Sequence, residues 1–90
     1  MIKILIADDH PIVRRGLREI LEDEKDMAVI SEVSSAPEVL ESLLQNDIDI
    51  VLLDISMPGR SGLDIIQAIL NEYPTILILV LSALHEEVYA

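Results

Sequence analysis

The chain has 90 residues, a formal net charge of −11 at pH 7 and no cysteine, a length that suits one small domain. The lack of cysteine excludes disulfides, thiolate metal sites and thiol catalysis, and the acidic excess argues against direct binding of this piece to nucleic acid. No apolar run reaches the roughly 20 residues that cross a bilayer and no signal peptide is evident, so we expect a cytoplasmic protein without membrane contact.

The first strand and helix are predicted on either side of two aspartates. Residues 3–7, KILIA, form an apolar run without helical spacing that ends at charges, which indicates a buried strand. Pro11 suits the first turn of a helix. Its apolar stripe is Val13, Leu17, Ile20 and Leu21, and the interspersed Arg14, Arg15 and Arg18 indicate either a solvated helix face or a partner-docking patch.

The same pattern then repeats twice. Residues 27–33 read as a second strand, and Ser35 with Glu38 predicts the capped start of a second helix. Residues 48–54 predict a third strand that ends in an aspartate, and residues 75–82 a fourth. The predicted stripes are Val39, Leu40, Leu43 and Leu44 on the second helix and Leu63, Ile66, Ile69 and Leu70 on the third.

Strands that alternate with helices of about ten residues predict an α/β fold, with a parallel sheet and helices on both faces. The last residues, ALHEEVYA, resemble the start of a fourth helix. A sheet that ended at the fourth strand would expose the apolar edge ILILVL, which natural proteins avoid. We therefore expect residues 1–90 to be one domain that is incomplete at its C-terminus.

Polar residues follow three of these strands. The strands of a parallel sheet point the same way, so Asp8, Asp9, Asp54 and Ser82 are predicted along one rim. Clustered carboxylates without a nearby Lys or Arg repel one another unless a hard cation lies among them, and oxygen ligands favour Mg²⁺. The rim is therefore a candidate phosphoryl-transfer site with Asp54 as the nucleophile.

Each of these residues also has a purely structural interpretation. Asp8 and Asp9 suit a strand-end turn and helix N-cap, Asp54 a polar strand terminus, and Ser82 a cap or loop hydroxyl. His10 and His85 are interpreted as rim or capping residues, because neither has a second histidine at metal-ligand spacing. In the loop before the third helix, Met57 and Pro58 are expected to shape the backbone, while Gly59 and Gly62 give it freedom.

Three motifs in order, ILIADDHPIVRRGLREIL, DIVLLDISMPGRSGLDII and ILVLSA, closely resemble the receiver domain of two-component response regulators. The phrase DDHPIVRRGL is similar to the NarL/FixJ branch. The resemblance covers essentially the whole chain. It implies a flavodoxin-like (CheY-like) doubly wound sheet with strand order 2-1-3-4-5, whose fifth strand and last helix are missing from this chain.

The resemblance also assigns roles to the rim. It implies that a sensor histidine kinase passes a phosphoryl group to Asp54 with Mg²⁺ bound. Asp9 and Asp54 are then direct Mg²⁺ ligands, Asp8 acts through water, and the backbone carbonyl of Ser56 completes the protein ligands. Ser82 matches the switch hydroxyl. In the family, the fifth strand carries a Lys that contacts the phosphoryl group, and neither Lys3 nor Lys25 matches it.

The same resemblance suggests partners and alternatives. Dimers are expected through the first helix or along the fourth-strand edge, and DNA would be bound only by an absent C-terminal helix-turn-helix domain. The competing function is a pseudo-receiver or fragment that serves as a protein-interaction or assembly module and takes no phosphoryl group. A phosphatase with an aspartyl nucleophile is less consistent with the sequence, because no aspartate lies two residues after Asp54. No nucleotide-binding glycine loop occurs.

Overall fold

A computed structural model of the chain describes residues 1–57 and 62–81. Within them four strands alternate with three helices. The elements are β1 (Ile2–Ala7), α1 (Pro11–Glu22), β2 (Met27–Val33), α2 (Ala36–Gln45), β3 (Ile50–Leu53), α3 (Gly62–Glu72) and β4 (Leu77–Val80). All strand pairs are parallel, in the order β2-β1-β3-β4, which confirms the predicted fold class.

The register of the sheet fixes where its carboxyl edge lies. Ala7, at the end of β1, pairs with Val33 of β2 and with Leu53 of β3. The residues that follow β1 and β3 therefore leave the sheet at the same level. Since the first and third strands are neighbours in the sheet, Asp8 and Asp54 follow adjacent strand ends.

The two faces of the sheet have separate apolar clusters. Leu5 and Ala7 of β1 face α2 and α3 in the larger one, whose other buried members are Val33, Ala36, Val39, Leu43, Ile48, Val51, Leu53, Met57, Ile65, Ile69 and Ile76. Ile4 and Ile6 point the opposite way, towards α1, in a smaller cluster with Val29 and Leu52. This alternation along β1 is the period of two that a strand imposes.

The predicted helix stripes were only partly right. Leu44 of α2 and Leu63 of α3 are 80% and 78% exposed, and Ile20 of α1 is 68% exposed. At about 100° per residue, Leu44 and Leu63 lie more than 100° around the helix from the buried side, so they cannot reach the sheet. On α3 the buried side includes Ile65, which the predicted stripe omitted.

Three local predictions also need correction. β3 and β4 are shorter than predicted, because only residues 50–53 and 77–80 have strand pairing. Ser35 occupies the N-cap of α2 but makes no side-chain bond to the helix backbone; its hydroxyl donates to Glu38 Oε1 at 2.8 Å instead. Gly62 serves close packing, since a side chain there would collide with Ile55. Gly59 and Pro58 lie outside the described residues.

None of the helices in residues 1–57 and 62–81 has both the length and the apolar composition that a membrane span requires.

Candidate functional site

Asp8 directly follows β1 at the carboxyl edge of the sheet, and its side chain is fully buried. Its Oδ1 accepts the backbone N–H of His10 at 2.8 Å and lies 2.8 Å from His10 Nδ1. Such a bond from residue i to i+2 stabilises a turn, so the predicted strand-end turn is present. The N-cap position of α1, however, is occupied by His10 rather than by an aspartate.

Asp54 occupies the matching position after β3 and is also fully buried. Its backbone N–H donates to the carbonyl of Ala7 at 2.8 Å, which ties it to the end of β1. Its Oδ1 accepts two bonds from Ser56, from the backbone N–H at 2.9 Å and from the hydroxyl at 2.7 Å. These bonds orient one carboxylate oxygen from the side of the β3–α3 loop.

Three carboxylates converge on the imidazole of His10. Its Nδ1 lies 2.8 Å from Asp8 Oδ1, 3.1 Å from Asp9 Oδ1 and 3.6 Å from Asp54 Oδ2. The hydrogen bond to Asp8 raises the pKa of His10 above its usual 6.5; partial burial opposes this rise, and the charges of the three aspartates add to it. The three carboxylates thus favour the protonated form of His10.

The geometry fits a hard divalent cation. One ligand atom from each of Asp8, Asp9, His10 and Asp54 lies within 4.8 Å of all the others. Asp8 Oδ2 is buried and has no hydrogen-bond partner among the described residues, which is costly unless a cation or water satisfies it. With three carboxylates among the four groups, oxygen donors dominate the set, as Mg²⁺ prefers.

The structure brings together some of the predicted site residues. Asp8, Asp9 and Asp54 form one cluster, and Ser56 is bonded to it through Asp54. Ser82 lies outside the described residues, so its relation to the cluster stays a prediction, and so does that of His85. The role of the Ser56 carbonyl as a ligand also stays a prediction.

Two basic residues were underestimated from the sequence. The sequence left Arg14 as part of a solvated helix face or a docking patch, but its Nη1 donates to the backbone carbonyl of Asp8 at 2.6 Å. His10 is more than a rim residue. A signal was present, since Arg14 lies one helical turn after His10 and helical side chains point back towards the N-terminus of their helix. Arg14 therefore reaches back to the end of β1.

The chain matches the response regulator receiver domain family over residues 4–90. It is a member of that family. The receiver domain is 37% identical over 90 residues to the nitrate/nitrite response regulator protein NarP of Escherichia coli K12, covering 98% of this chain and 42% of NarP. It is 39% identical over 82 residues to the response regulator UvrY of the same strain, covering 91% of this chain and 38% of UvrY.

A solved structure agrees with this assignment. The non-phosphorylated receiver domain of the stress response regulator RcsB from Escherichia coli superimposes with a TM-score of 0.87 at 33% identity, covering 91% of this chain and 65% of that one. The relatives confirm the predicted NarL/FixJ branch. This receiver domain spans about two fifths of the length of NarP and UvrY.

Proposed function

We propose that this receiver domain is the phospho-accepting switch of a two-component response regulator, with Asp54 as the acceptor. The observation that carries the proposal is the position of Asp54, which is buried at the end of β3 beside Asp8 and Asp9. A carboxylate enclosed with two others has no packing purpose that an apolar residue would not serve better. Membership of the chain in the response regulator receiver domain family supports the same function.

In the proposed reaction a carboxylate oxygen of Asp54 attacks the phosphorus of a phosphohistidine on a sensor kinase. A phosphorus–oxygen bond forms, the phosphorus–nitrogen bond breaks, and the histidine takes up a proton. Asp9 and Asp54 would hold Mg²⁺ directly, Asp8 through water, and the Ser56 carbonyl would complete the set. When bound, Mg²⁺ neutralises charge on the transferred oxygens. The Ser56 N–H and hydroxyl keep the Asp54 carboxylate oriented.

The output of the switch is proposed from the relatives. A change of charge at Asp54 would bias the carboxyl edge of the sheet between two arrangements and so alter affinity for partners. Ser82 is the proposed switch residue, whose hydroxyl would turn towards the phosphoryl group. The further partners are a sensor kinase, a second receiver domain and a DNA-binding domain elsewhere in the protein, and the proposed compartment is the cytoplasm.

The test is intact mass after incubation with Mg²⁺ and a small acyl-phosphate donor. Wild type is expected to gain one phosphoryl group, which hydroxylamine removes because the product is an acyl phosphate. Asp54→Asn is expected to gain nothing. Asp47→Asn is the matched control, because the Asp47 side chain is exposed and pairs only with Lys3 among the described residues. Labelling that survives in Asp54→Asn would contradict the assignment of the acceptor.

The exposure of β4 favours a second candidate function, a protein-interaction module that takes no phosphoryl group. Leu77, Leu79 and Val80 are 55%, 47% and 49% exposed. Within the described residues β4 pairs only with β3. This function predicts self-association that Leu79→Lys abolishes and Asp54→Asn leaves unchanged, measured by sedimentation equilibrium. A monomer that accepts a phosphoryl group would exclude it in favour of the switch.

A further inference from the structure

Arg14 joins the ends of two strands through one guanidinium group. Its Nη1 donates to the backbone carbonyl of Asp8 at 2.6 Å, just after β1, and its Nε lies 3.6 Å from Glu32 Oε1 on β2. The side chains of Arg14 and Glu32 are 21% and 24% exposed, so both are largely shielded from solvent. The planar fork of arginine suits such a contact because its N–H groups diverge at fixed angles.

The backbone of Asp8 is consequently held at both of its polar groups. Its N–H donates to the carbonyl of Val33 at 3.1 Å, and its carbonyl accepts the bond from Arg14. Val33 follows Glu32, so a closed ring runs from Asp8 through the end of β2 and Arg14 back to Asp8. The peptide that carries Asp9 is the one whose carbonyl Arg14 contacts.

The ion pairs around Arg14 carry little net charge. Glu32 also pairs with Arg18, which in turn pairs with Glu22 at 3.3 Å. Two arginines and two glutamates therefore offset one another along α1 and β2. If charge were the main effect of Arg14, it would weaken the binding of a cation at the carboxylates. Its directed bond to the Asp8 carbonyl has the opposite consequence, because it fixes the turn from which two carboxylates project.

We propose that Arg14 is a positioning residue for the cation site. By bridging the Asp8 carbonyl and Glu32, it holds the β1–α1 turn so that Asp8 and Asp9 face Asp54 at the distance a divalent cation needs. This inference rests on the proposed function, in which Mg²⁺ binds at those carboxylates. Residues that orient metal ligands without touching the metal commonly change metal affinity by about tenfold or more.

The test compares Mg²⁺ affinities from amide chemical shifts during a magnesium chloride titration. Arg14→Gln is expected to bind Mg²⁺ about tenfold more weakly than wild type. Arg14→Lys keeps the charge but not the fork, and it is also expected to bind more weakly. Arg15→Gln, which changes an exposed neighbour on the same helix, is expected to match wild type.

A matched variant separates positioning from general destabilisation. Arg18→Gln breaks the pairs to Glu22 and Glu32 on the same side of α1 but leaves the contact with Asp8 intact. It should lower the thermal midpoint much as Arg14→Gln does, yet keep wild-type affinity for Mg²⁺. Equal loss of affinity in both variants would overturn the inference, because the effect would then be structural.

The remaining outcomes are equally distinct. Affinity in Arg14→Gln that equals or exceeds that of wild type would overturn the positioning role and leave the proposed function standing. Full wild-type affinity in Arg14→Lys would also overturn it, because a simple positive charge would then suffice. A wild-type protein without any Mg²⁺-dependent shift at Asp8, Asp9 or Asp54 would overturn the proposed function, and this inference with it.

Discussion

The two faces of the sheet hold their helices by different means. On one face, α2 and α3 bury Val39, Leu43, Ile65 and Ile69 in the larger apolar cluster. On the other, α1 lies wholly within the described residues and has no fully buried side chain. It contacts the sheet through partly buried residues such as Leu17 and through ion pairs to Glu32. The charged face is the one connected to the candidate site.

Stability and the candidate site therefore depend mainly on different faces of the sheet. Apolar burial gives the larger and less specific contribution to folding, whereas hydrogen-bonded charges fix direction and depend on their surroundings. Arg14 of α1 donates a hydrogen bond to the carbonyl of Asp8. A displacement of α1 would therefore also displace the turn that carries Asp8 and Asp9.

Truncation of a core side chain should reveal the largest difference between the faces. Ile69→Ala removes a fully buried side chain of α3 and should lower the free energy of unfolding by about 3 to 4 kcal/mol. Leu17→Ala, on α1, should cost only about 1 kcal/mol because Leu17 is only partly buried. Equilibrium unfolding in urea measures both.

A milder substitution at the same position keeps the comparison usable if Ile69→Ala unfolds the protein. Ile69→Val is expected to cost about 1 kcal/mol. Equal losses for Ile69→Ala and Leu17→Ala would show that α1 is held by apolar packing after all, and the contrast between the faces would then be wrong.

Addition of Mg²⁺ should have the next largest effect. At a concentration ten times the Kd, binding to the folded state alone adds about 1.4 kcal/mol to the free energy of unfolding. Ile69→Val should gain the same increment, since its side chain belongs to the apolar face and independent sites add. Asp9→Asn should gain almost nothing, and a chelator should reverse the gain in wild type. An unchanged increment in Asp9→Asn would show that Asp9 is not a ligand.

Salt should change the cost of a substitution in the ion pairs but not the cost of one in the apolar cluster. Glu32→Gln removes the common partner of Arg14 and Arg18 and should cost about 0.5 to 1 kcal/mol at low ionic strength. At 1 M salt the screening length falls to about 3 Å, so this cost should shrink. The cost of Ile69→Val should persist, because burial of a methyl group does not depend on charge. A salt-independent cost for Glu32→Gln would mean that packing of its side chain dominates.

The fold was predictable because its elements follow local patterns. α1 was expected from Pro11 and β2 over residues 27–33, and both begin where predicted. Strand direction predicted that Asp8 and Asp54 lie along one rim, and the neighbouring positions of β1 and β3 bring them together. The sequence could not decide which apolar residues of a wide stripe reach the sheet, as Leu44 and Leu63 show, because that depends on how each helix is rotated against its neighbours.

The charged details were harder for a related reason. Whether Arg14 faces solvent or the site depends on the rotation of α1 over β2, which the spacing of its apolar residues leaves loosely defined. The position of the His10 imidazole depends on the turn that Asp8 makes. Ser35 and Glu38 had the spacing of a capping box, yet the hydroxyl bonds the carboxylate directly, because side-chain groups can pair with each other as easily as with the backbone.

That bond at the start of α2 is a charged contact on the otherwise apolar face. Glu38 Oε1 accepts the hydroxyl of Ser35 at 2.8 Å and the hydroxyl of Ser34 at 3.1 Å. These bonds, the one from Ser35 above all, hold the pKa of Glu38 below its usual 4.5. A carboxylate whose pKa is lower in the folded state stabilises the fold above its unfolded pKa, and this contribution is lost as the pH falls through the folded value.

The smallest expected effect is therefore a pH-dependent one. Glu38→Gln keeps an oxygen that can accept the same bonds but has no charge to titrate. Wild type should be slightly more stable than Glu38→Gln in urea at about pH 7, and the gap should close as the pH falls below about 4.5, because protonated Glu38 then resembles glutamine. A gap that stays constant or widens in acid would assign the stabilisation to the shape of the side chain. The charge of Glu38 would then not stabilise the fold. The contrast between the ion pairs on the α1 face and the apolar packing on the α2 and α3 face would be sharper than the contacts at Ser34 and Ser35 indicate.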